Sequence, residues 1–348
     1  LLKIIEKSEF MSSKLKLGIN GFGRIGKIVF RILQTHPNIE VSLINDPMPL
    51  ETMVYLLKYD SIHGPFNADV RIGDNGIIVN GNFIPVSTEK DPENIPWKKY
   101  GLDLILESSG KFKTRALLEK HLKAGAEKVI LSCPSDEPLD LSLVIGVNDD
   151  QLQAHHNIIS NASCTTNCLA PLLKVIDENL GVVSGFLNTI HPYTNNQSII
   201  DSPHAELRRS RAASNIIPTT STAIQALFEI MPKFKGRFDG FATRVPVPDG
   251  SFIELCLNLE KNTDVVSFNQ LIKNATENQL KGIVQYTSDP IVSSDVVNNP
   301  HSAVFDSLAT KVVNGNFVQM IAWYDNEYGY SNRVVDTIER MASLNRLK

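Results

Sequence analysis

Asn161-Ala162-Ser163-Cys164-Thr165-Thr166-Asn167-Cys168 leads into an apolar stripe of Leu169, Leu172, Leu173, Ile176 and Leu180, closed by Gly181. That spacing predicts a helix starting at or just before Cys164. Unpaired N–H groups and the helix dipole at such a terminus favour a thiolate, the nucleophilic form of cysteine. Cys168, one turn further on, points inward and reads as structural. A reactive thiol needs a proton acceptor. Among eight histidines the candidate is His191, at the C-terminal end of a predicted strand from Val182 to Ile190. His36 and His121 fall in predicted surface helices, and His63, His155, His156, His204 and His301 in polar loops, where histidines are ordinary surface residues. Spacing alone leaves two readings of Cys164 and His191 open, a nucleophile with its base or two structural side chains.

A second chemistry is written at Gly21-Phe22-Gly23-Arg24-Ile25-Gly26, a G-x-G-x-x-G pattern between a strand (Leu15, Leu17 and Ile19 alternating) and a helix (Ile25, Ile28, Val29, Ile32 and Leu33). Gly21 permits the tight turn, Gly23 lets backbone N–H groups approach a pyrophosphate, and Gly26 allows close helix–strand packing. Asp46 ends the next strand, about twenty residues on, where a carboxylate accepts hydrogen bonds from a ribose and repels a 2′-phosphate; NAD is favoured over NADP.

The elements around these residues divide the chain. A βαβ unit runs from Leu15 to Asp46, the helix breaking at Pro37-Asn38, and Leu102 to Leu106 and Lys128 to Ser132 flank a helix near Thr114 to Lys123. Beyond about residue 160, longer strands (Val182 to Ile190, Phe241 to Val247, Phe252 to Leu259, Phe317 to Trp323) alternate with few helices. The expected fold is an α/β Rossmann dinucleotide-binding domain plus an α+β catalytic domain with a mostly antiparallel sheet. The boundaries read as 1–14 N-terminal extension, 15–163 dinucleotide domain completed by a helix at about 328–348, and 164–327 catalytic domain. That last helix carries Val334, Val335, Ile338 and Met341 on one face, and spacing does not name the sheet it packs on.

Composition bounds the function. In 348 residues, 34 Lys+Arg against 38 Asp+Glu give a net charge of −4, so no summed positive field holds a nucleic acid or an anionic membrane, and any anion must be caught locally. Four cysteines (Cys133, Cys164, Cys168, Cys256) form neither a disulfide framework nor a paired zinc knuckle; no metal is expected, and a reducing, cytoplasmic setting is. Leu1 to Phe10 has no signal-peptide core, no stretch suits a membrane span, and Met11-Ser12-Ser13 reads like a natural start.

The Ser163 to Cys168 block, the Gly18 to Gly26 turn, Tyr59-Asp60-Ser61-Ile62-His63-Gly64, Gly146-Val147-Asn148, Asn215-Ile216-Ile217-Pro218, Arg244-Val245-Pro246 and Trp323-Tyr324-Asp325-Asn326-Glu327 together resemble phosphorylating glyceraldehyde-3-phosphate dehydrogenase of the NAD-dependent, bacterial type, from Leu15 to about Met341. The resemblance implies that Cys164 attacks the aldehyde of glyceraldehyde 3-phosphate with His191 as base, that a hydride passes to NAD, and that inorganic phosphate opens the resulting thioacyl-enzyme. It implies Thr194 and Arg244 for the substrate's phosphate, and Ser163, Thr165, Arg208, Ser221 and Thr222 for the attacking phosphate, with Arg209 and Arg211 as neighbours in the same basic cluster. For NAD it implies Arg24 and Ile25 after the glycine turn, Ser108, Ser132, Asn326 at the nicotinamide carboxamide and Tyr330 beside the ring. It further implies a homotetramer in which the Ser198 to Ser214 loop lies against a neighbour's cofactor. Thr222 stands where Gly is usual, Gln225 where Lys is common, Ala213-Ser214-Asn215 is one residue short, and Pro192, Asn196 and Tyr328 are further departures. The alternatives are the sister erythrose-4-phosphate dehydrogenase, against which Thr194 argues, and an inactive NAD-binding interaction protein, against which Cys164 and His191 together argue.

Overall fold

The computed structural model describes residues 14–195 and 197–345. The expected extension up to position 13, with its Met11 start, the departure at Asn196 and the last three positions of the expected terminal helix lie outside the described residues.

The first sheet is built from β1 (Leu15–Asn20), β2 (Ile39–Asn45), β3 (Val70–Gly73), β4 (Gly76–Val79), β5 (Asn82–Ser87), β6 (Leu104–Glu107), β7 (Lys128–Leu131), β8 (Leu141–Ser142) and β9 (Ile158–Ser160). Their order is β3-β4-β5-β2-β1-β6-β7-β9-β8, parallel except at the β3-β4-β5 meander. The order reverses beside β1, which pairs with β2 on one side and β6 on the other, and a ligand crevice opens at the strands' carboxyl ends at such a switch point. The helix Arg24–Leu33 follows β1 and buries Ile28, Val29, Phe30, Ile32 and Leu33. It ends at Leu33, with Gln34 as its cap, short of the Pro37 break that the sequence suggests.

The second sheet comprises β10 (Val182–Pro192), β11 (Ile217–Thr219), β12 (Phe238–Val245), β13 (Ser251–Leu259), β14 (Val284–Thr287), β15 (Ala303–Val313) and β16 (Phe317–Tyr324), in the order β11-β12-β10-β13-β16-β15-β14. It is mostly antiparallel, but β10 with β12 and β14 with β15 are parallel. A parallel pair needs a crossover, and between β10 and β12 the chain supplies the helix Ala223–Ile230. The helix Cys164–Leu180 packs on this sheet, with Cys168, Leu169, Leu172, Leu173 and Ile176 at 0 % exposure. Burying each large aliphatic side chain contributes roughly 1.5–3 kcal/mol, so the stripe fixes the axis on which Cys164 sits. The terminal helix Tyr328–Asn345 returns to the first unit, where Val334, Val335, Ile338 and Met341 join the core containing Ile28 and Val29. Two folded units result, a Rossmann-like one and a mostly antiparallel catalytic one.

Candidate active site

Cys164 is the first residue of its helix. Ser163 caps it from an extended conformation (φ −105°, ψ 162°), its Oγ accepting from the Thr166 N–H at 3.0 Å, and Asn167 Nδ2 donates back to the carbonyls of Asn161 (2.9 Å) and Ser163 (3.0 Å). Ala162, just before, has φ 53°, a left-handed conformation that costs a residue with a Cβ roughly 1–2 kcal/mol. Its carbonyl accepts from Tyr330 Oη at 3.1 Å, one of the contacts that hold the strained turn. Cys164 packs against both main hydrophobic cores, at the seam of the two units.

His191 stands opposite Arg244 in the parallel β10–β12 register, so both side chains emerge on one face. His191 Nε2 lies 3.5 Å from Cys164 Sγ. Nδ1 lies 2.9 Å from the Pro192 carbonyl and also against Arg244 Nη1, which itself donates to Pro192 O at 2.9 Å. Beneath them Tyr324, 1 % exposed, joins two hydroxyls, Thr165 Oγ1 (2.8 Å) and Thr189 Oγ1 (2.9 Å), and sets its ring edge-on to the imidazole at 6.1 Å. The preformed thiolate expected from the helix terminus is not what the surroundings favour. Burial pushes the Cys164 thiol up to about 11, only partly opposed by the Arg244 charge and hydrogen bonds around Thr165. Burial, then the Arg244 charge, lowers His191 to about 3. Near neutral pH the pair is thiol and neutral imidazole, because the low-dielectric seam penalises both ions.

The crevice at the ends of β1, β2 and β6 holds a cavity of about 310 Å³ lined by Gly21, Gly23, Asp46, Ser108, Lys90 and Lys111 among others. Gly21 has φ 91° and a Cβ there would stand 2.3 Å from Ser109 N; a Cβ on Gly26 would stand 2.2 Å from the Gly21 carbonyl. Gly23 faces open space, with nothing within 4 Å of where a Cβ would be, so a phosphate has room at the helix N-terminus. Asp46 Oδ2 accepts from Phe22 N (2.6 Å) and Oδ1 from Met48 N (2.9 Å), which holds the carboxylate at the crevice mouth. Ser108 Oγ donates to the Gly21 carbonyl at 2.7 Å, and Ser132 N to the Glu107 carbonyl at 2.9 Å. These residues suit a dinucleotide. Arg24 begins the helix, but its guanidinium is committed to Asp60 and Glu327, leaving only its backbone and that of half-buried Ile25 to face a ligand. Asn326 is 8 % exposed, its Oδ1 accepting from Ser251 Oγ at 2.8 Å, and Tyr330 is 5 % exposed.

Arg208, Ser221 and Thr222 share a separate cavity of about 980 Å³, whose lining does not include Cys164 or His191. Arg208 is exposed and donates to Pro218 O (3.2 Å), Arg209 pairs with Glu206 (3.0 Å) and Arg211 with Asp201 (3.4 Å). Thr194 N donates to Gln197 Oε1 at 3.3 Å. Two histidines depart from the surface role expected of them. His121 is fully buried, taking the Trp97 Nε1 hydrogen at 3.0 Å and meeting buried Glu107 at 3.1 Å; a buried carboxylate draws in a polar partner. His63, its side chain 4 % exposed, binds Glu327 Oε2 at 2.9 Å. Spacing alone does not mark Tyr324, Asp60 or Asp249; Tyr324, Asp60 and His63 lie inside motifs that carry the resemblance, but nothing in linear spacing says that they meet.

Residues 15–115 match the family described as glyceraldehyde 3-phosphate dehydrogenase, NAD binding domain, and residues 163–326 the C-terminal domain of the same enzyme. The chain is 50% identical over 332 residues to glyceraldehyde-3-phosphate dehydrogenase of Thermotoga maritima, covering 94% of this chain and 99% of that one. It is 48% identical over 332 residues to that of Geobacillus stearothermophilus (94% and 98% covered) and 47% over 324 residues to glyceraldehyde-3-phosphate dehydrogenase 1 of Bacillus subtilis (92% and 96%). No helix among the described residues is long and apolar enough to cross a membrane. The capped thiol facing an imidazole, the glycine turn at the switch point and matches over nearly the whole length place the chain in one family: it belongs to the glyceraldehyde 3-phosphate dehydrogenases, with NAD as cofactor.

Proposed function

We propose that this chain converts D-glyceraldehyde 3-phosphate and inorganic phosphate to 1,3-bisphosphoglycerate while reducing NAD. The observation that carries the reading is the 3.5 Å approach of Cys164 Sγ to His191 Nε2 at a capped helix start. Nδ1 faces two demands that need opposite tautomers, since Arg244 can only donate and the Pro192 carbonyl can only accept. The form with hydrogen on Nδ1, bonded to Pro192 O, leaves a lone pair on Nε2 for the thiol proton. As sulfur bonds to the aldehyde carbon, Nε2 takes the S–H proton and then supplies it to the developing alkoxide, giving a neutral hemithioacetal. A bound NAD would supply the acceptor for the hydride on that carbon, with the Gly21 to Gly26 turn, Asp46 and Asn326 as the residues that would hold it. His191 holds the hydroxyl proton as the thioester forms, and phosphate oxygen then displaces the Cys164 sulfur, which leaves as the thiolate and regains its proton from His191.

Arg244, beside the base, and Thr194 serve the substrate's phosphate; Ser163, Thr165, Arg208, Ser221 and Thr222 serve the incoming one. The protein works as a cytoplasmic homotetramer, with 15–163 plus 328–348 as the NAD-binding domain and 164–327 as the catalytic domain. Thr222, which stands at the N-terminal cap position of the helix Ala223–Ile230 without a side-chain capping bond, where the resemblance implies glycine, is the feature that favours testing the erythrose 4-phosphate alternative. The experiment follows NADH formation with each aldehyde, with and without phosphate, for the parent and Cys164→Ser. A phosphate requirement, a preference for the triose and loss of turnover in Cys164→Ser with NAD still bound are expected; undiminished turnover in the variant would refute the nucleophile.

A further inference from the structure

Asp249 lies in the turn between β12 and β13. Its side chain is completely buried, and among the described residues neither carboxyl oxygen has a hydrogen bond of good geometry, although the adjacent Gly250 N–H bears on it. His63 Nε2 is 3.9 Å from its Oδ2, and His63 Nδ1 is 4.0 Å from Asp325 Oδ2. Both imidazole nitrogens are already engaged, Nδ1 with the Asn298 Oδ1 carbonyl at 2.8 Å and Nε2 with Glu327 at 2.9 Å, which requires hydrogen on each. Both contacts favour the protonated ring, which offers no lone pair to a metal. Burial alone would lower its pKa; the Glu327 hydrogen bond and the Asp325 charge outweigh that and raise it.

Two cations, His63 and Arg24, thus face the carboxyls of Asp60, Glu327, Asp325 and Asp249. Burial raises Asp325 above its ordinary value, opposed by the His63 charge and by the backbone N–H groups of Tyr328 (2.6 Å), Asn298 (2.8 Å) and Glu327 (2.8 Å), which favour its charged form. The Ser293–Val296 turn, packed under Gly250, adds Asp295, whose Oδ2 accepts from Val292 N at 2.8 Å. Asp249, which has the Gly250 N–H bearing on it against three N–H groups on Asp325, is the carboxyl that holds a proton more readily. Burial first, then the Asp325 and Glu327 charges, push it up to about 8.

The turn transmits this state. Gly250 has φ 84°, and a Cβ there would stand 2.1 Å from the Ser293 carbonyl, so the backbone has no slack before Ser251, which donates to Asn326 Oδ1 at 2.8 Å. Asp325 and Glu327 flank Asn326 on its other side. We propose that Asp249 is a positioning residue: bearing its proton, it lets Ser251 and the Asp325-to-Glu327 turn hold Asn326 for the carboxamide of NAD, and loss of the proton loosens that hold. The inference rests on the reading that Asn326 meets the carboxamide.

The test measures NAD affinity by calorimetry between about pH 6.5 and about pH 9.5, in a Cys164→Ser background that removes the thiol's own ionisation. One hydrogen bond's net worth corresponds to a Kd that rises roughly threefold to tenfold across that range. Asp249→Asn, permanently neutral, and Asn326→Ala, which lacks the amide, should each abolish the dependence. Melting temperatures give a second readout, Asp249→Asn gaining over its parent more at the alkaline end than at the acid end. A parent whose affinity ignores pH, or either variant keeping the full dependence, would overturn the proposal while leaving the dehydrogenase reading intact. No NAD binding at any pH would overturn both.

Discussion

Replacing His191 with Asn separates a base that takes the proton during attack from a side chain that merely lines the site. With the Cys164 thiol at about 11, only about one molecule in a thousand carries a thiolate at about pH 8. A neutral His191, its own pKa lowered to about 3, lets the remaining molecules react as thiols, and general-base assistance of that kind is worth roughly 10²–10⁴-fold. The two estimates meet near a thousandfold loss in His191→Asn at about pH 8. Without the base, only preformed thiolate reacts, so the variant's rate should climb about tenfold per pH unit toward the thiol's pKa. The parent's rate should stay flat over the same range, which lies between the two pKa values. The assay is the single-turnover burst of NADH at saturating aldehyde and cofactor, followed by stopped flow from about pH 7 to about pH 10. A variant that loses less than about tenfold, or that stays flat with pH at a lower rate, would refute the assignment of the base.

Two further substitutions test the cofactor side. Arg24→Met leaves Asp60, 3 % exposed, without its main partner, and should cost about 2–3 kcal/mol in urea unfolding near neutral pH, at the low end for a buried pair because Arg24 itself is partly exposed. Burial alone would raise Asp60, but its hydrogen bonds, led by Arg24, hold it well below the usual carboxylate range. The stability it contributes is therefore present above its unfolded pKa and fades as pH falls through the folded one, so the gap between parent and Arg24→Met should narrow on acidification; a constant gap would count against the pairing. Asp46→Asn removes the charge that repels a 2′-phosphate and should lower the preference for NAD over NADP by about tenfold in direct binding measurements. An unchanged ratio would show that discrimination lies elsewhere.

Much of this architecture is legible from local pattern. The glycine turn, the strand ending at Asp46 and the stripe from Leu169 to Leu180 depend on neighbours within a few positions, and periodicity records them. Cys164 at a helix start and His191 near a strand end follow from the same signals. What spacing does not carry is contact across the sequence. The partner of the terminal helix, the Tyr324 hydroxyl between Thr165 and Thr189, and the meeting of Arg24 with Glu327 are set by how the units pack. The burial that raises the Cys164 thiol is likewise set by packing across the sequence, since a helix terminus argues for an anion only until the surrounding protein excludes water from it. His121 and His63 look like surface residues because the carboxylates that draw them inward, Glu107 and Glu327, lie on other elements.

The side-by-side placement of His191 and Arg244 has a consequence for how such a chain can vary. In a parallel ladder, slipping either strand by one position turns its side chain to the opposite face, so an insertion or deletion inside β10 or β12 would part the imidazole from the guanidinium. Length changes in the loop between β10 and β11 leave that ladder untouched. Ala213-Ser214-Asn215, whose spacing the family resemblance reads as short, lies in that loop between β10 and β11, where a change of length leaves His191 and Arg244 neighbours. Remodelling of substrate preference can act through the length of that loop, provided that the rungs on either side keep their count.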